Sequence, residues 1–476
     1  MVRCGASPAN LSVAPSPDRS RPDSPSSPVR LNSLRNAAQQ PLPVMRTAGA
    51  DARPWQGGGS MAAVLLHKAD ATWRVKCTGE SALSAMEVTL SKVFQLTGLA
   101  APDTALVDDV PSLLGNTLHV ASRFDPNYQD LGGLLQSAQA EHLCGGDESN
   151  ALRYRELQAC HRTAVADCNA VLEQAGVTHC WALQCPDAIA AHAAADARRF
   201  SALEAMNALL RTDLRCHQLR HFVASRWLAN WDHLNYRMEN FGYTRTDRGL
   251  VGMTVDFGSC GPLGFRSLAN GRMLPKQGSA ETAMRQRPAA LFPIPDAVRA
   301  RSAQFDALDA TPGLLGDTLR WPYGFQSDSI AEQLRVPLAP VTQVADTLAE
   351  MGYRLALVSD TALTAIIDRY WPAAAHLPGS GWPGGPALAQ GLGTRRRALL
   401  DNYAPAQIAD WIAADPLRAD QVLKEVLMGT RAALEGLGAD ENIERAIEHN
   451  HNARARGAPL REPAQTAQQC GVRPAA

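Results

Sequence analysis

A short apolar run, Met61–His67, and a second segment of alternating character, Thr72–Cys77, flank a polar turn, Lys68–Ala71. The pattern predicts two short strands joined as a hairpin. The period then changes. Met86, Leu90, Val93 and Phe94 recur at helical spacing and predict a helix from about Ser84 to Thr97. Ser84 and Glu87 form an S-x-x-E capping box at its expected start, and Gly98 is placed to stop it. "AAPDTALV" reads as a turn and a strand, and "NTLHVASRF" as another strand. Residues 56–138 are therefore expected to form a small β-rich lobe carrying one helix.

From Ala138 to about Arg220 the pattern is helical and Ala-rich. "LLRTDLRCHQLRHFVASRWLANWDH" reads as one amphipathic helix with Leu219, Phe222, Val223 and Trp227 on one face, ending near Asn230. An irregular stretch leads to "LVGMTVDF". Beyond Gly264 the chain is loop-like and Pro-rich, then helical again from about Val341 to Trp371. "LPGSGWPGGP", Leu377 to Pro386, is a linker by composition, and further helices with a polar, frayed end complete the chain. No internal repeat is visible.

At 476 residues, 45% of them hydrophobic, the chain is long enough for two or three domains and a sizeable core. A formal net charge of -1 gives no reason to expect a nucleic-acid partner. Ten cysteines without a dense framework fit a reducing compartment. No apolar run approaches the ~18 residues of a membrane span. The first 55 residues differ from the rest. They are rich in Ser, Pro and Arg, and the only acids before Asp51 are Asp18 and Asp23. Such a segment cannot bury enough apolar surface to offset its ordering entropy, so it is expected to be disordered. Its composition fits an unstructured secretion leader, an organelle transit peptide or a plain tail.

Candidate chemistry gathers at a few points. Phosphoryl transfer from a nucleotide needs backbone N–H groups near the phosphates, a lysine held by a glutamate, oxygen ligands for Mg²⁺ and a carboxylate for the acceptor hydroxyl. Gly57, Gly58, Gly59 and Ser60 precede the first strand and would allow close backbone approach to phosphates. Lys76 ends the second strand in "WRVK", and Glu87 lies on the following helix. Asp232 follows the long helix in "NWDH". Asn240, in "MEN", and Asp256, in "VDFG", stand at the two ends of an expected hairpin, "FGYTRTDRGLVGMTV". Two oxygen ligands so placed can meet at one hard cation. The bland alternatives are a solvated lysine, a capping glutamate and surface Asx-turns.

Four stretches carry a family resemblance. "GGGSMAAVLL" with "ATWRVK", "MEVTLSKVFQLTGLAAPDTALV", "HVASRFD" and "NWDH" with "ENFG" and "VDFG" resemble the HipA-like and phosphatidylinositol 3/4-kinase-like atypical kinases. The resemblance covers about residues 56–138 and 215–265. It implies an α+β, two-lobed protein-kinase-like fold that binds ATP and Mg²⁺. Lys76 would bind the phosphates and Glu87 would hold it. Asn240 and Asp256 would carry magnesium, and Asp232 would be the catalytic carboxylate. The chain departs from the family in this loop: the Arg that usually follows the Asp is absent, and Asp232 and Asn240 stand farther apart than usual. Glu239 is the alternative carboxylate. "MEN" followed by "VDFGSCGPLGF" is similar to the SelO-like adenylyltransferases, which transfer AMP. A catalytically inactive pseudokinase module is the third reading.

The expected organisation is a leader over 1–55, a kinase-like N-lobe over 56–138, a C-lobe with a helical insertion over 139–330 and a helical C-terminal extension over 331–476. The expected partner is a protein substrate, a host protein if the chain is a type III effector delivered into a host cell. Whether a host activator is required stays open. Cys160, Cys168, Cys180 and Cys185 with His161 and His179 lack zinc-site spacing. His217 and His221 read as a packed or solvated pair, and "TRRR", Thr394 to Arg397, as a solvated helix start.

Overall fold

The computed structural model describes residues 35–36, 40–47, 50–54, 63–68, 71–78, 81–108, 110, 118–146, 148–178, 180–228, 230, 233, 238–247, 249–258, 260, 341–373, 384–401, 405–435 and 441–457. In chain order the strands are β1 (Val44–Met45), β2 (Asp51–Pro54), β3 (Ala63–Lys68), β4 (Ala71–Lys76), β5 (Thr104–Val107), β6 (His119–Arg123), β7 (Tyr128–Asp130), β8 (Phe241–Thr246) and β9 (Gly249–Thr254). The α-helices are α1 (Ser81–Gln95), α2 (Leu131–Gln136), α3 (Glu148–Gln174), α4 (Pro186–Leu209), α5 (Thr212–Trp227), α6 (Val341–Leu357), α7 (Asp360–Tyr370), α8 (Gly385–Asp401), α9 (Pro405–Ala414), α10 (Pro416–Ala433) and α11 (Glu441–Ala455).

The expected hairpin forms, with Lys76 opposite Ala63 and Ala71 opposite Lys68. It joins a six-stranded sheet of order β1-β5-β6-β4-β3-β2. Successive side chains on a strand face opposite sides. Val64, Leu66, Val75, Val107 and Ala121 accordingly make a small core on one face. Leu106 and Val120 join the main core, with α1, on the other. The leader expected over 1–55 needs correction at its end. Val44–Met45 pairs in parallel with β5, and Asp51–Pro54 extends the sheet beside β3. A bare sheet edge recruits whatever extended chain adjoins it, and composition does not report that pairing.

Two local expectations also change. Helix α1 starts at Ser81, so Ser84 and Glu87 lie inside it and form no capping box. Ser84 Oγ instead donates to the Leu118 carbonyl at 2.8 Å. The long helix is broken at Leu210–Arg211, where Arg211 N–H donates to the Leu143 carbonyl and Gly145 N–H to that of Leu209. The helical segment expected from Val341 to Trp371 forms, as two helices, the second capped by the Ser359 hydroxyl, which accepts from Ala362 N–H.

The second lobe is built round α5. The three-stranded sheet β7-β8-β9 and the helices α6 and α8 pack against it, and α3 and α4 form a long antiparallel insertion. "TRRR" sits inside α8, not at a solvated start. Arg395 is buried and donates to the carbonyls of Trp227 (3.0 Å) and Arg226 (2.5 Å) at the C-terminus of α5. A guanidinium at a helix C-terminus satisfies carbonyls that lack intrahelical partners. Helix α11 runs to Ala455, and His451 on it bonds the Tyr353 hydroxyl at 2.6 Å; the rest of the expected frayed end, 458–476, lies outside the described residues. Among the described residues no helix is long and apolar enough to cross a membrane.

Candidate active site

The cleft between the two sheets is assembled from three elements. β4 runs antiparallel to β6 and ends at Lys76. Glu87 lies two turns into α1. Asp256 lies two residues past the end of β9. Lys76 Nζ lies 2.7 Å from Glu87 Oε1 and 3.2 Å from both carboxylate oxygens of Asp256. The Lys76 and Glu87 side chains are 14% and 4% exposed, while Asp256 retains 35%, so the cluster opens to solvent on the Asp256 side.

One ammonium is shared by two carboxylates. Burial alone would lower the pKa of Lys76, but the charges of Asp256 and Glu87 outweigh it and raise the value. Burial pushes Glu87 up to about 7, reinforced by Asp256 and opposed by Lys76. Burial would also raise Asp256, but Lys76 and the Gly258 N–H hold it below the usual carboxylate range. A further cation at the open side would relieve the excess negative charge.

The Asp-Phe-Gly stretch has a separate reason for each residue. Phe257 is buried under α1, edge-on to Phe94 with ring centroids 5.2 Å apart, which turns Asp256 toward the cleft. Gly258 N–H donates to Asp256 Oδ1 at 2.9 Å. A Cβ on Gly258 would stand 3.0 Å from Glu87 Oε2 and 3.1 Å from Asp256 Oδ1, so a side chain there would press on both carboxylates.

The β8–β9 register, Phe241 opposite Thr254, brings Asn240 beside Asp256, and Val255 N–H donates to the Asn240 carbonyl at 3.1 Å. Asn240 is buried and Glu239 exposed. Asp232, Gly57, Gly58, Gly59 and Ser60 lie outside the described residues. His221 is buried and bonds the Thr254 hydroxyl at 2.9 Å, in line with a packed pair rather than a metal site. Asp256 and Asn240 are hard oxygen donors that fit Mg²⁺, which keeps few protein ligands and takes the rest from phosphates and water. Among the described residues no three His, Cys, Asp or Glu side chains converge on a metal.

Sequence reasoning missed four contributors. Arg74 precedes Lys76 by two residues, hence shares its face of β4. Its charge acts on Glu87, Asp256 and Tyr128. The Tyr128 hydroxyl is buried and has no hydrogen-bond partner among the described residues. Asp130 caps α2, accepting from Gly133 N–H at 2.6 Å. Asn230 stood in the quoted "NWDH" without a role, and its amide donates to the Asp256 carbonyl at 3.1 Å. Strand alternation was the one signal that could have found any of them, and it points to Arg74.

No protein-family model matches the chain. No curated protein matches it either. Six chains of solved structures do. One is the crystal structure of a Helicobacter pylori proinflammatory kinase, CtkA, 14% identical, covering 78% of this chain and 99% of its own, with a TM-score of 0.37. At that level the likeness carries no residue roles. The fold is α+β and two-lobed, with the helical insertion and C-terminal helices described above.

Proposed function

We propose that this chain is a Mg²⁺- and ATP-dependent phosphotransferase acting on a protein hydroxyl. The observation that carries the reading is the position of Lys76, 2.7 Å from Glu87 and 3.2 Å from Asp256. A lysine fixed between a helix carboxylate and a strand-end carboxylate is the arrangement that presents an ammonium to nucleotide phosphates. On this reading Lys76 holds the α- and β-phosphates and Glu87 holds Lys76. Asp256 and Asn240 would hold Mg²⁺, which neutralises charge on the phosphates when bound. Gly57, Gly58, Gly59 and Ser60 would offer backbone N–H groups. Asp232 would take the proton of the acceptor hydroxyl as its oxygen bonds to the γ-phosphorus and the bond to the β,γ-bridging oxygen breaks, releasing ADP.

The test is incubation of the full-length protein with Mg²⁺, a host-cell lysate, and ATP labelled at the α- or the γ-phosphate, with Asp256→Ala alongside. Transfer of γ-label alone, lost in the variant, is the expected result. Transfer of α-label would replace the reading with AMP transfer and move the carboxylate role to Glu239. ATP binding without transfer from either would leave a pseudokinase module. Delivery into a host cell rests on the composition of residues 1–55 and on the large helical regions outside the resemblance. A reporter fused to that segment and assayed for type III-dependent translocation tests it.

A further inference from the structure

Helix α1 has no solvent face. Every residue from Ser84 to Thr97 is buried, including Thr89, Ser91, Lys92 and Gln95. A helix buried all round belongs to the interior rather than to a surface. The sheet strands β5 and β6 cover one side of α1, and α7 and α10 cover the other.

The contacts on that second side are specific. The Gly429 backbone on α10 passes so close that a Cβ there would stand 2.2 Å from the Gln95 carbonyl oxygen. Gly98 has φ +71°, and its own Cβ would meet Val426 N at 2.6 Å. Arg354 on α6 donates to the Thr97 carbonyl at 3.2 Å, just past the end of α1. The same guanidinium bonds Glu350 at 2.9 Å and Glu425, on α10, at 2.5 Å. The Lys92 ammonium lies 5.4 Å from the centroid of the Tyr370 ring on α7. Sliding α1 along its axis would unpair Thr97, drive Gln95 into Gly429 and withdraw Lys92 from Tyr370. Gln95 lies eight residues beyond Glu87, about 12 Å along one helix, so fixing its C-terminal end fixes Glu87.

We infer that α6, α7 and α10 clamp α1 so that Glu87 stays against Lys76, with Arg354 and Gly429 as positioning residues. The outer face of α1, where a separate activating partner could act, is occupied by the chain's own helices. The Lys76–Glu87 pair is therefore set within the chain. The catalytic purpose of the clamp rests on the phosphotransferase reading; the clamp itself is a statement about geometry.

The test reads the enclosure of Lys76 directly. In the full-length chain, acylation of Lys76 by an amine-directed reagent is followed by mass spectrometry at mildly alkaline pH. Gly429→Ala and Arg354→Lys are each expected to raise the labelling rate about 10-fold, to the level of Glu87→Gln, and combining either with Glu87→Gln adds no further rise. A merely structural role would give additive effects. Additivity, or unchanged labelling in a variant that still melts cooperatively, overturns the clamp. Arg354→Lys keeps the charge beside Glu350 and Glu425 and loses the fork that reaches Thr97, so the test stands if Gly429→Ala does not fold. ATP binding by the wild type is measured in parallel. A wild type that binds no ATP overturns the phosphotransferase reading, and the labelling still decides the clamp.

Discussion

Lys76 and Asp256, 180 residues apart in the chain, meet at 3.2 Å on the floor of the cleft. The contact joins the last residue of a strand in one sheet to the first turn after a strand in another. Asp256 is partly open to solvent, so its removal should disturb chemistry more than folding. Asp256→Asn is expected to lower phosphoryl transfer by roughly 10²–10³-fold, the loss typical of one electrostatic group in a preorganised site. Its melting temperature should stay near that of the wild type. Single-turnover kinetics with Mg²⁺ and ATP, read beside a thermal melt, check both halves.

Gly258 is hemmed in by the two carboxylates that Lys76 holds. Gly258→Ala is expected to push them apart and weaken ATP binding about 10-fold, a change of about 1.4 kcal/mol. Calorimetric titration of both proteins with Mg·ATP gives the ratio. Equal affinities would mean that the cluster does not contact the nucleotide.

Glu350 is the centre of a buried charge network. Arg354 and Arg220 each approach one of its oxygens at 2.9 Å, and Arg418 the other at 2.6 Å. Burial would raise its carboxyl, but Arg354, Arg220 and Arg418 outweigh burial and hold it down to about 2, from an ordinary 4.5. A depressed carboxylate contributes stability that is fully present above its unfolded value and is lost as pH falls toward the folded one. The wild type should therefore lose on the order of 3 kcal/mol between pH 4.5 and 2 from this group. Urea melts across that window should show Glu350→Gln less stable at neutral pH, with a flatter acid limb.

Arg395 reaches the two carbonyls that end α5, just before Asn230. Arg395→Met keeps the apolar stem and removes the donors. Hydrogen bonds from a charged group are worth about 1.5–3 kcal/mol each, and buried carbonyls left unpaired cost more. A destabilisation of about 2–4 kcal/mol by chemical denaturation is expected. A loss below about 0.5 kcal/mol, the range of ordinary surface substitutions, would show that water replaces the guanidinium.

Local order was legible where period and turn chemistry agree. A short apolar run marked β3 and alternation marked β4, and the hairpin between Asn240 and Asp256 was readable from two short apolar runs round a polar turn. Gly98 stops α1 at the expected place because its φ of +71° is one that other residues adopt with strain. Ser84 and Glu87 show the limit. Their spacing satisfied a local rule for a helix start, but the helix begins earlier, and each side chain serves a distant partner. Residues 44–54 show it again: their composition resembles the leader before them, and only a sheet edge makes them strands.

What the sequence determined by itself is the run of local elements and the residue types that phosphoryl chemistry would need. Those depend on neighbours a few positions away, through backbone sterics and side-chain periodicity. What only the tertiary structure decided is who meets whom. Arg354 on Thr97, Gly429 on Gln95, Asn230 on Asp256 and Arg395 on Trp227 are contacts between elements far apart in the chain. Their reason is the close packing of buried polar groups, each of which must find a partner once water is excluded. No periodicity records that requirement. It selects one docking of the C-terminal helices on α1, and with it the place of Glu87 beside Lys76.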